Sequence, residues 1–313
     1  PFQIFPEVDG VDFNLEEAKS IIAEEKEEYT IKLTITKPKV TVDQIGTEAF
    51  PDRLSIFTTR YNAADTNRTT NLRIACEKIN GKVLMPGETF SYNKTLGERT
   101  IAAGYKDAKV YENGQVVDGI GGGICQISST LYNAVLYANL EIVERYNHSY
   151  TVSYVPASRD ATVSYGGKDF KFKNSRTYPI KIIASAKNGV INVSFKGIEE
   201  EKEYDIELTS KTLSTTPYKT TYQDNSDLAE GKQKVIQVGH NGMKSEAYKT
   251  VKYNGKVISK TLLSADTYQP MNRIIEKGTK KTVNKETTKE EVKVEENKIE
   301  EADITENEEQ KGD

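Results

Sequence analysis

The chain has 313 residues, a formal net charge of −4 at pH 7 and 29% charged residues. This balance excludes a strongly basic nucleic-acid-binding protein, and the length allows two or three domains. Two cysteines cannot build the framework of a disulfide-rich domain, and no apolar run is long enough to span a membrane.

Residues 1–59 predict the end of a small α+β domain. The stretch NLEEAKSIIAEE has helical spacing, with Asn14 as a candidate N-cap and Glu17 in the capping-box position. The run YTIKLTIT then alternates apolar and polar residues, as a half-buried strand does.

Residues 60–200 predict one compact domain that begins with a helix from about Thr69 to Asn80. Gly81 follows at the usual C-cap position. Cys76 lies on the apolar face of this helix, together with Leu72, Ala75 and Ile79. Since a free cysteine commonly packs as a small hydrophobe, we expect Cys76 to be a core residue.

The second half of the same domain predicts β structure. Pro86 and Gly87 form a turn after the first helix. Four later runs have the composition of β-strands, namely HSYTVSYV, ATVSYG, YPIKIIASAK and VINVSFKG.

Residues 204–278 predict an elongated antiparallel β module. Its alternating, lysine-rich strands are separated by two Asn-Gly turns, at Asn241-Gly242 and Asn254-Gly255. Residues 279–313 contain no aromatic side chain and predict a disordered acidic tail. The fold class is therefore α+β: a mixed helix and strand domain with a central buried helix, then a β module and a tail.

The stretch GGGICQISSTLYNAV holds the residue most suited to chemistry. Cys125 follows three glycines and lies at the start of a strongly apolar helix. Free N–H groups and the helix dipole lower a thiol pKa at that position. Gly122 and Gly123 let a substrate approach the backbone, and N–H groups there, including that of Gln126, predict an oxyanion hole. Ser129, in the first turn, is a candidate for capping the helix or contacting substrate.

A cysteine nucleophile usually works with a histidine base, and the chain has two histidines. His240 lies in a GHNG turn and is expected to be exposed. His148 follows the cysteine helix within one domain and is the candidate partner of Cys125. Asp160 is the candidate third group, but a tight hairpin around Pro156 would place it roughly 20 Å from His148.

Other kinds of site have less support from the sequence. If Asp160 does not orient His148, then Arg159 and Asp160 are structural or bind a substrate carboxylate and amine. Neither zinc-ligand spacing nor a phosphate-binding loop occurs, so no metal and no cofactor are expected. A disulfide between Cys76 and Cys125 would silence the thiol, but it would draw a buried helical residue toward a glycine loop.

Four motifs occur in order in residues 60–197: NGKVLMPGETFSYN, LGERTIAAGY, GGGICQISSTLYNAVLYANLEIVER and HSYTVSYVPASRDATV. Together they resemble the VanW family, with Ser158 standing where a glycine is usual. Residues 230–279 resemble a G-five module, and the first fifty resemble the end of a putative peptidoglycan-binding domain.

The resemblance implies an L,D-transpeptidase of the Gram-positive cell wall, with Cys125 as nucleophile and no cofactor. Its partners would be peptidoglycan stem peptides and glycan strands, not nucleic acid. It would be extracellular, in the cell wall or on the membrane-anchored surface. Because the chain starts at Pro1, we expect any targeting or anchoring segment to have been removed. The alternatives are a cysteine peptidoglycan hydrolase or L,D-carboxypeptidase, and a non-catalytic wall-binding scaffold.

Overall fold

The computed structural model describes residues 7–24, 26–39, 41, 49–112 and 114–281. The helices in this part of the chain are α1 (Leu15–Ile22), α2 (Thr66–Ile79), α3 (Tyr92–Leu96) and α4 (Ile124–Tyr137). The strands are β1 (Gly10–Phe13), β2 (Leu33–Thr36), β3 (Asp52–Arg60), β4 (Val83–Leu84), β5 (Thr89–Ser91), β6 (Asp107–Glu112), β7 (Gln115–Ile120), β8 (Glu141–Glu144), β9 (Lys171–Lys173), β10 (Ile180–Lys187), β11 (Val190–Gly197), β12 (Asp205–Thr216), β13 (Thr220–Ala229), β14 (Gln233–Gln237), β15 (Gly242–Tyr253), β16 (Lys256–Tyr268) and β17 (Arg273–Lys280).

The chain mixes helices with mostly antiparallel sheets and divides into two units. The larger unit holds residues 1–221 and 235–275, and the smaller one holds residues 222–234 and 276–313. Within the smaller unit, the Glu230 N–H donates to the Lys280 carbonyl. No helix in the described ranges has the length and apolar character needed to cross a membrane.

The N-terminal elements form a small helix and sheet pair. The Asn14 side chain accepts hydrogen bonds from the backbone N–H groups of the first turn of α1, which confirms the predicted N-cap. Strand β1 pairs antiparallel with β2, so that Val11 faces Ile35. The strand occupies only the second half of the predicted YTIKLTIT run.

A four-stranded sheet in the order β3-β11-β10-β4 carries the main core. Strands β10 and β11 form a hairpin that turns at Asn188 and Gly189, both of which have positive φ. These two strands correspond to the predicted YPIKIIASAK and VINVSFKG runs. Alternate residues of β11 are fully buried, namely Ile191, Val193 and Phe195.

Helices α2 and α4 pack on this sheet. Helix α2 begins three residues earlier than predicted because Asp65 caps it, with Oδ1 accepting from the Arg68 N–H at 3.0 Å. Cys76 is 1% exposed and contributes to the core. Helix α4 buries twelve of its side chains, and Ser55 of β3 donates to the Ala134 carbonyl at 2.7 Å.

Residues 145–170 form an irregular segment, so two of the predicted strands are wrong. HSYTVSYV and ATVSYG have the composition of strands but do not pair. Backbone groups of ATVSYG bond instead to a side chain of α4 and to the preceding chain segment. The Ala161 N–H donates to Ser129 Oγ at 2.9 Å, and the Thr162 N–H donates to the Tyr146 carbonyl at 2.8 Å. Tertiary contacts therefore override local β propensity here.

The β module is built from long antiparallel strands. The order β12-β15-β16 forms one sheet, and the predicted turn at Asn254-Gly255 connects β15 to β16 with both residues at positive φ. The predicted hairpin turn at Asn241-Gly242 is wrong, because Gly242 begins β15, whose partners are β12 and β16. Asn241 instead accepts a hydrogen bond from the Tyr218 N–H at 3.2 Å. Most of the predicted tail, residues 282–313, lies outside the described residues.

Candidate active site

The three glycines before α4 bring Cys125 into the first turn of a buried helix. Gly121 and Gly123 have φ of +80° and +105°, and Gly123 is the N-cap. Gly122 lies so close to strand β6 that an added Cβ would be 2.5 Å from the Ala108 carbonyl oxygen. The backbone therefore requires glycine at these positions for conformation and for space.

We expect Gly122→Ala to damage the site without unfolding the protein. The new methyl group would force either β6 or the start of α4 to move, at a cost of about 1–3 kcal/mol. Thermal unfolding and the alkylation rate of Cys125 measure the two effects. Gly10→Ala is the matched control, since its Cβ would meet Thr36 at an ordinary 3.5 Å. Equal alkylation rates in both variants would contradict this expectation.

The Cys125 thiol faces a cavity of about 810 Å³. It is half-buried and lies 3.5 Å from the Val163 carbonyl oxygen and 3.7 Å from the Thr162 hydroxyl. His148, Tyr154, Gly122, Gly123 and Gln126 also line the cavity. A peptide-sized substrate that fills the cavity would thus meet the thiol and the glycine turn together.

His148 and Asp160 form a tight buried pair behind the thiol. The His148 Nδ1 lies 2.6 Å from Asp160 Oδ2, and the His148 backbone N–H donates to the same oxygen at 2.7 Å. The other ring nitrogen, Nε2, lies 3.4 Å from the Tyr154 hydroxyl. An Nδ1–H that donates to the carboxylate leaves Nε2 available to exchange a proton with the thiol.

The pKa values of these groups favour a thiolate and an imidazolium. Burial opposes ionisation of Cys125, but its interaction with His148 lowers the thiol pKa to about 7. Burial likewise disfavours the imidazolium, yet the hydrogen bond to Asp160 and the thiolate raise the pKa of His148 to about 9. The other thiol contrasts with this pair, because burial raises the pKa of Cys76 to about 12. Both cysteines are free.

The structure brings His148 and Asp160 together by a route that a hairpin would not allow. Residues 149–159 form a loop that lines part of the cavity, and Asp160 at its end lies beside His148. Arg145 fastens the loop, with Nε donating to the Asp160 carbonyl at 2.6 Å and Nη2 to its carboxylate at 3.0 Å. Asp160 is fully buried, and its pKa is lowered because hydrogen bonds from His148 and the charge of Arg145 outweigh desolvation.

The predicted oxyanion donors are only partly available. The Gln126 N–H already donates to the Gly123 carbonyl at 2.8 Å, so it is not free for a substrate oxygen. For Gly123 and Cys125, no carbonyl among the described residues accepts from the backbone N–H. These two groups at the helix start are therefore the remaining candidates.

Three other predicted site residues have packing contacts in the structure. The Gln126 amide bonds to Arg68 at 2.8 Å and to the Arg60 carbonyl at 2.8 Å. Ser129 Oγ donates to the Cys125 carbonyl at 2.8 Å. Arg159 does not line the cavity: its Nε donates to the Asn133 side chain at 2.8 Å. The expectation that Arg159 binds substrate therefore does not match its position.

Four residues near the site have no role in the sequence-based predictions. Arg145 and Tyr268 bond to Asp160, Tyr154 lies beside His148, and Arg68 covers Gly123. Arg68 and Tyr268 lie far from His148 in the sequence, whereas Arg145 and Tyr154 lie within six residues of it, and none belongs to a local pattern that marks chemistry. The one available signal was an arginine and tyrosines close to His148 in ERYNHSYTVSY.

Comparison with known proteins finds relatives of two parts of the chain. A family model for VanW-like proteins matches residues 67–196, and a G5 domain model matches residues 207–280. The uncharacterized protein YoaR of Bacillus subtilis is 46% identical over 137 residues, which are 44% of this chain and 45% of that protein. The vancomycin B-type resistance protein VanW of Enterococcus faecalis is 35% identical over 121 residues, which are 36% of this chain and 44% of that protein.

The matches cover less than half the length of either relative. A solved G5 domain of an IgA1 protease covers 26% of this chain and 99% of its own, with 31% identity and a TM-score of 0.17. The two family models follow each other along the chain with a short gap between them. The chain therefore carries a VanW-like domain, which holds Cys125, His148 and Asp160, followed by a G5 domain.

Proposed function

We propose that this protein is a cell-wall L,D-transpeptidase with Cys125 as its nucleophile. The observation that carries the proposal is the Cys125, His148 and Asp160 cluster, in which the thiol pKa is lowered to about 7 beside a cavity. A nucleophile, a base and a group that orients the base are the parts that acyl transfer needs.

The first half-reaction releases D-alanine. The Cys125 thiolate attacks the carbonyl carbon between the L-centre of a diamino acid and the terminal D-Ala of a donor stem. N–H groups of Gly123 and Cys125 stabilise the oxyanion. The intermediate collapses as the C–N bond breaks, and the His148 imidazolium gives its proton to the leaving amine. A thioester on Cys125 and neutral His148 remain.

The second half-reaction forms the cross-link. The side-chain amine of an acceptor stem attacks the thioester carbon, and His148 takes the proton that the amine loses. The C–S bond then breaks, which restores the thiolate and imidazolium and leaves a new amide between two stems. Asp160 holds the imidazole ring through Nδ1 in both steps.

The charge of the cavity supports an anionic peptide as substrate. Among its described lining residues, Arg68, Arg99, Lys109 and Lys168 are cationic and only Glu98 is acidic. The Nε and Nη1 atoms of Arg99 are buried without a hydrogen-bond partner. Peptidoglycan stems carry free carboxylates, which would complement this charge. Arg68 and Arg99 therefore take the substrate-binding role that the sequence suggested for Arg159.

The relationships support a place at the cell surface. One relative is a vancomycin resistance protein, and a G5 domain follows the VanW-like domain. We propose that the β module contacts wall components, glycan strands among them, while the VanW-like domain acts on stem peptides.

Incubation of the full chain with disaccharide-tetrapeptides, followed by mass spectrometry, tests the proposal. Dimers joined through two diamino acids, with one D-Ala lost per dimer, are the expected product. Loss of D-Ala without dimers would identify an L,D-carboxypeptidase in place of a transpeptidase. No change in the peptides, with a protein that still binds intact wall, would favour the scaffold alternative.

A further inference from the structure

The G5 domain contacts the loop that carries Asp160. The Ser158 N–H donates to the Tyr268 hydroxyl at 2.7 Å, and the Ser158 and Ser245 hydroxyls lie 2.6 Å apart. Ser264 Oγ donates to the Ser158 carbonyl at 3.0 Å. All three partners belong to β15 or β16, so the G5 strands bond to every polar group of Ser158.

These contacts stabilise an unfavourable backbone conformation. Ser158 has φ of +63°, in the left-handed region that favours glycine. A serine in this conformation needs compensation from its contacts. Its hydroxyl supplies a bond to the G5 domain that a glycine could not make. The turn before Asp160 therefore depends on the second domain.

The second domain also reaches the catalytic carboxylate. Asp160 Oδ1 accepts from the Tyr268 hydroxyl at 2.5 Å and from Arg145 at 3.0 Å, while Oδ2 accepts from His148. Arg145 is itself held by Asp266, with Nη1 at 2.9 and 2.8 Å from the two carboxylate oxygens. The end of β16 thus holds Asp160 directly through Tyr268 and indirectly through Asp266, which holds Arg145.

We propose, on the basis of the proposed function, that Tyr268 and Asp266 are positioning residues that the G5 domain supplies to the Cys125–His148 pair. Tyr268 acts directly on Asp160, and Asp266 acts through Arg145. Neither residue lines the cavity. The G5 domain would then be part of the enzyme and not solely a wall-binding attachment.

The physical consequence concerns the ionisation of the pair. The hydrogen bond from Tyr268 helps to fix Asp160 where its charge stabilises the His148 imidazolium. Without that bond the Asp160 carboxylate becomes more mobile and stabilises the His148 imidazolium less. The Cys125 thiol then ionises at higher pH. Among the described residues, the titratable or charged groups around Cys125, His148 and Asp160 are Arg68, Tyr92, Tyr132, Arg145, Tyr154, Asp266 and Tyr268.

Tyr268→Phe in the full chain tests the inference, because it removes one hydroxyl and keeps the ring. The pH dependence of Cys125 alkylation, measured by mass spectrometry of the modified peptide, should have its inflection at higher pH than in the wild type. We also expect transfer near pH 7 to fall about tenfold. Tyr248→Phe is the matched control, since the Tyr248 hydroxyl bonds to Glu246 at 2.6 Å within β15 and not to Asp160.

Asp266→Asn provides a second variant in case Tyr268→Phe does not fold, and Asp266→Glu should recover part of the wild-type inflection. An unchanged inflection in every folded variant would overturn the inference and leave the proposed function intact. A wild-type Cys125 that ionises like an ordinary thiol would instead refute the proposed function. The two failures are therefore distinguishable.

Discussion

Cys125→Ala is expected to abolish formation of stem-peptide dimers, by at least about 10³-fold, while the free energy of unfolding changes by less than about 1 kcal/mol. The activity is lost because no other side chain in the cavity offers a thiolate. Stability is kept because the thiol is half-buried beside a cavity and its hydrogen bonds to Val163 and Thr162 are long. Muropeptide mass analysis and thermal unfolding measure the two effects.

Cys76→Ala is the matched control for this variant. Cys76 is 1% exposed among core residues of α2, so loss of its sulfur should cost about 1–2 kcal/mol. Transfer by the folded fraction should stay at the wild-type level. If Cys125→Ala retained transfer, or if Cys76→Ala abolished it in folded protein, the assignment of the nucleophile would be wrong.

The pH dependence of the reaction should follow the thiolate–imidazolium pair. The thiol pKa of about 7 predicts a rising limb as the thiolate forms. The imidazolium pKa of about 9 predicts a falling limb as the proton needed by the leaving amine is lost. Activity should thus be highest between about pH 7 and 9, and the two limbs belong to the pair and not to single residues.

His148→Gln should remove this behaviour. Burial then acts on the Cys125 thiol without the opposing imidazolium, so its alkylation should inflect at higher pH than in the wild type. The pH of the inflection is the correct readout. A thiolate with a higher pKa is also a stronger nucleophile, so an alkylation rate measured at one pH would partly conceal the smaller fraction of thiolate. His240→Gln, at an exposed position, should leave the curve unchanged. If Cys125 of the wild-type protein were alkylated with an inflection near pH 9, the pairing of Cys125 with His148 would be wrong.

Several parts of the fold could be predicted because local signals determine them. The N-cap at Asn14, the strands β10 and β11, and the Asn254-Gly255 turn follow from residue type and spacing over a few positions. The identification of the VanW-like and G5 domains likewise required only motifs in the order of the sequence. The contrast between a buried Cys76 and a thiol at a helix start also came from helical spacing.

The sequence by itself determined which residues were candidates for chemistry, since two cysteines and two histidines leave few choices. Only the tertiary structure decided how they meet. Side chains of α4 bond to the backbone of Arg159 and Ala161, so that the segment forms a loop in place of a hairpin and Asp160 lies beside His148. The buried Asp160 carboxylate needs several hydrogen-bond donors, and two of them are Arg145 and Tyr268. Tyr268 belongs to the G5 domain and lies more than a hundred residues from Asp160 in the sequence. Such long-range pairing leaves no periodic signal in the sequence, because burial and charge select it only after the chain has folded.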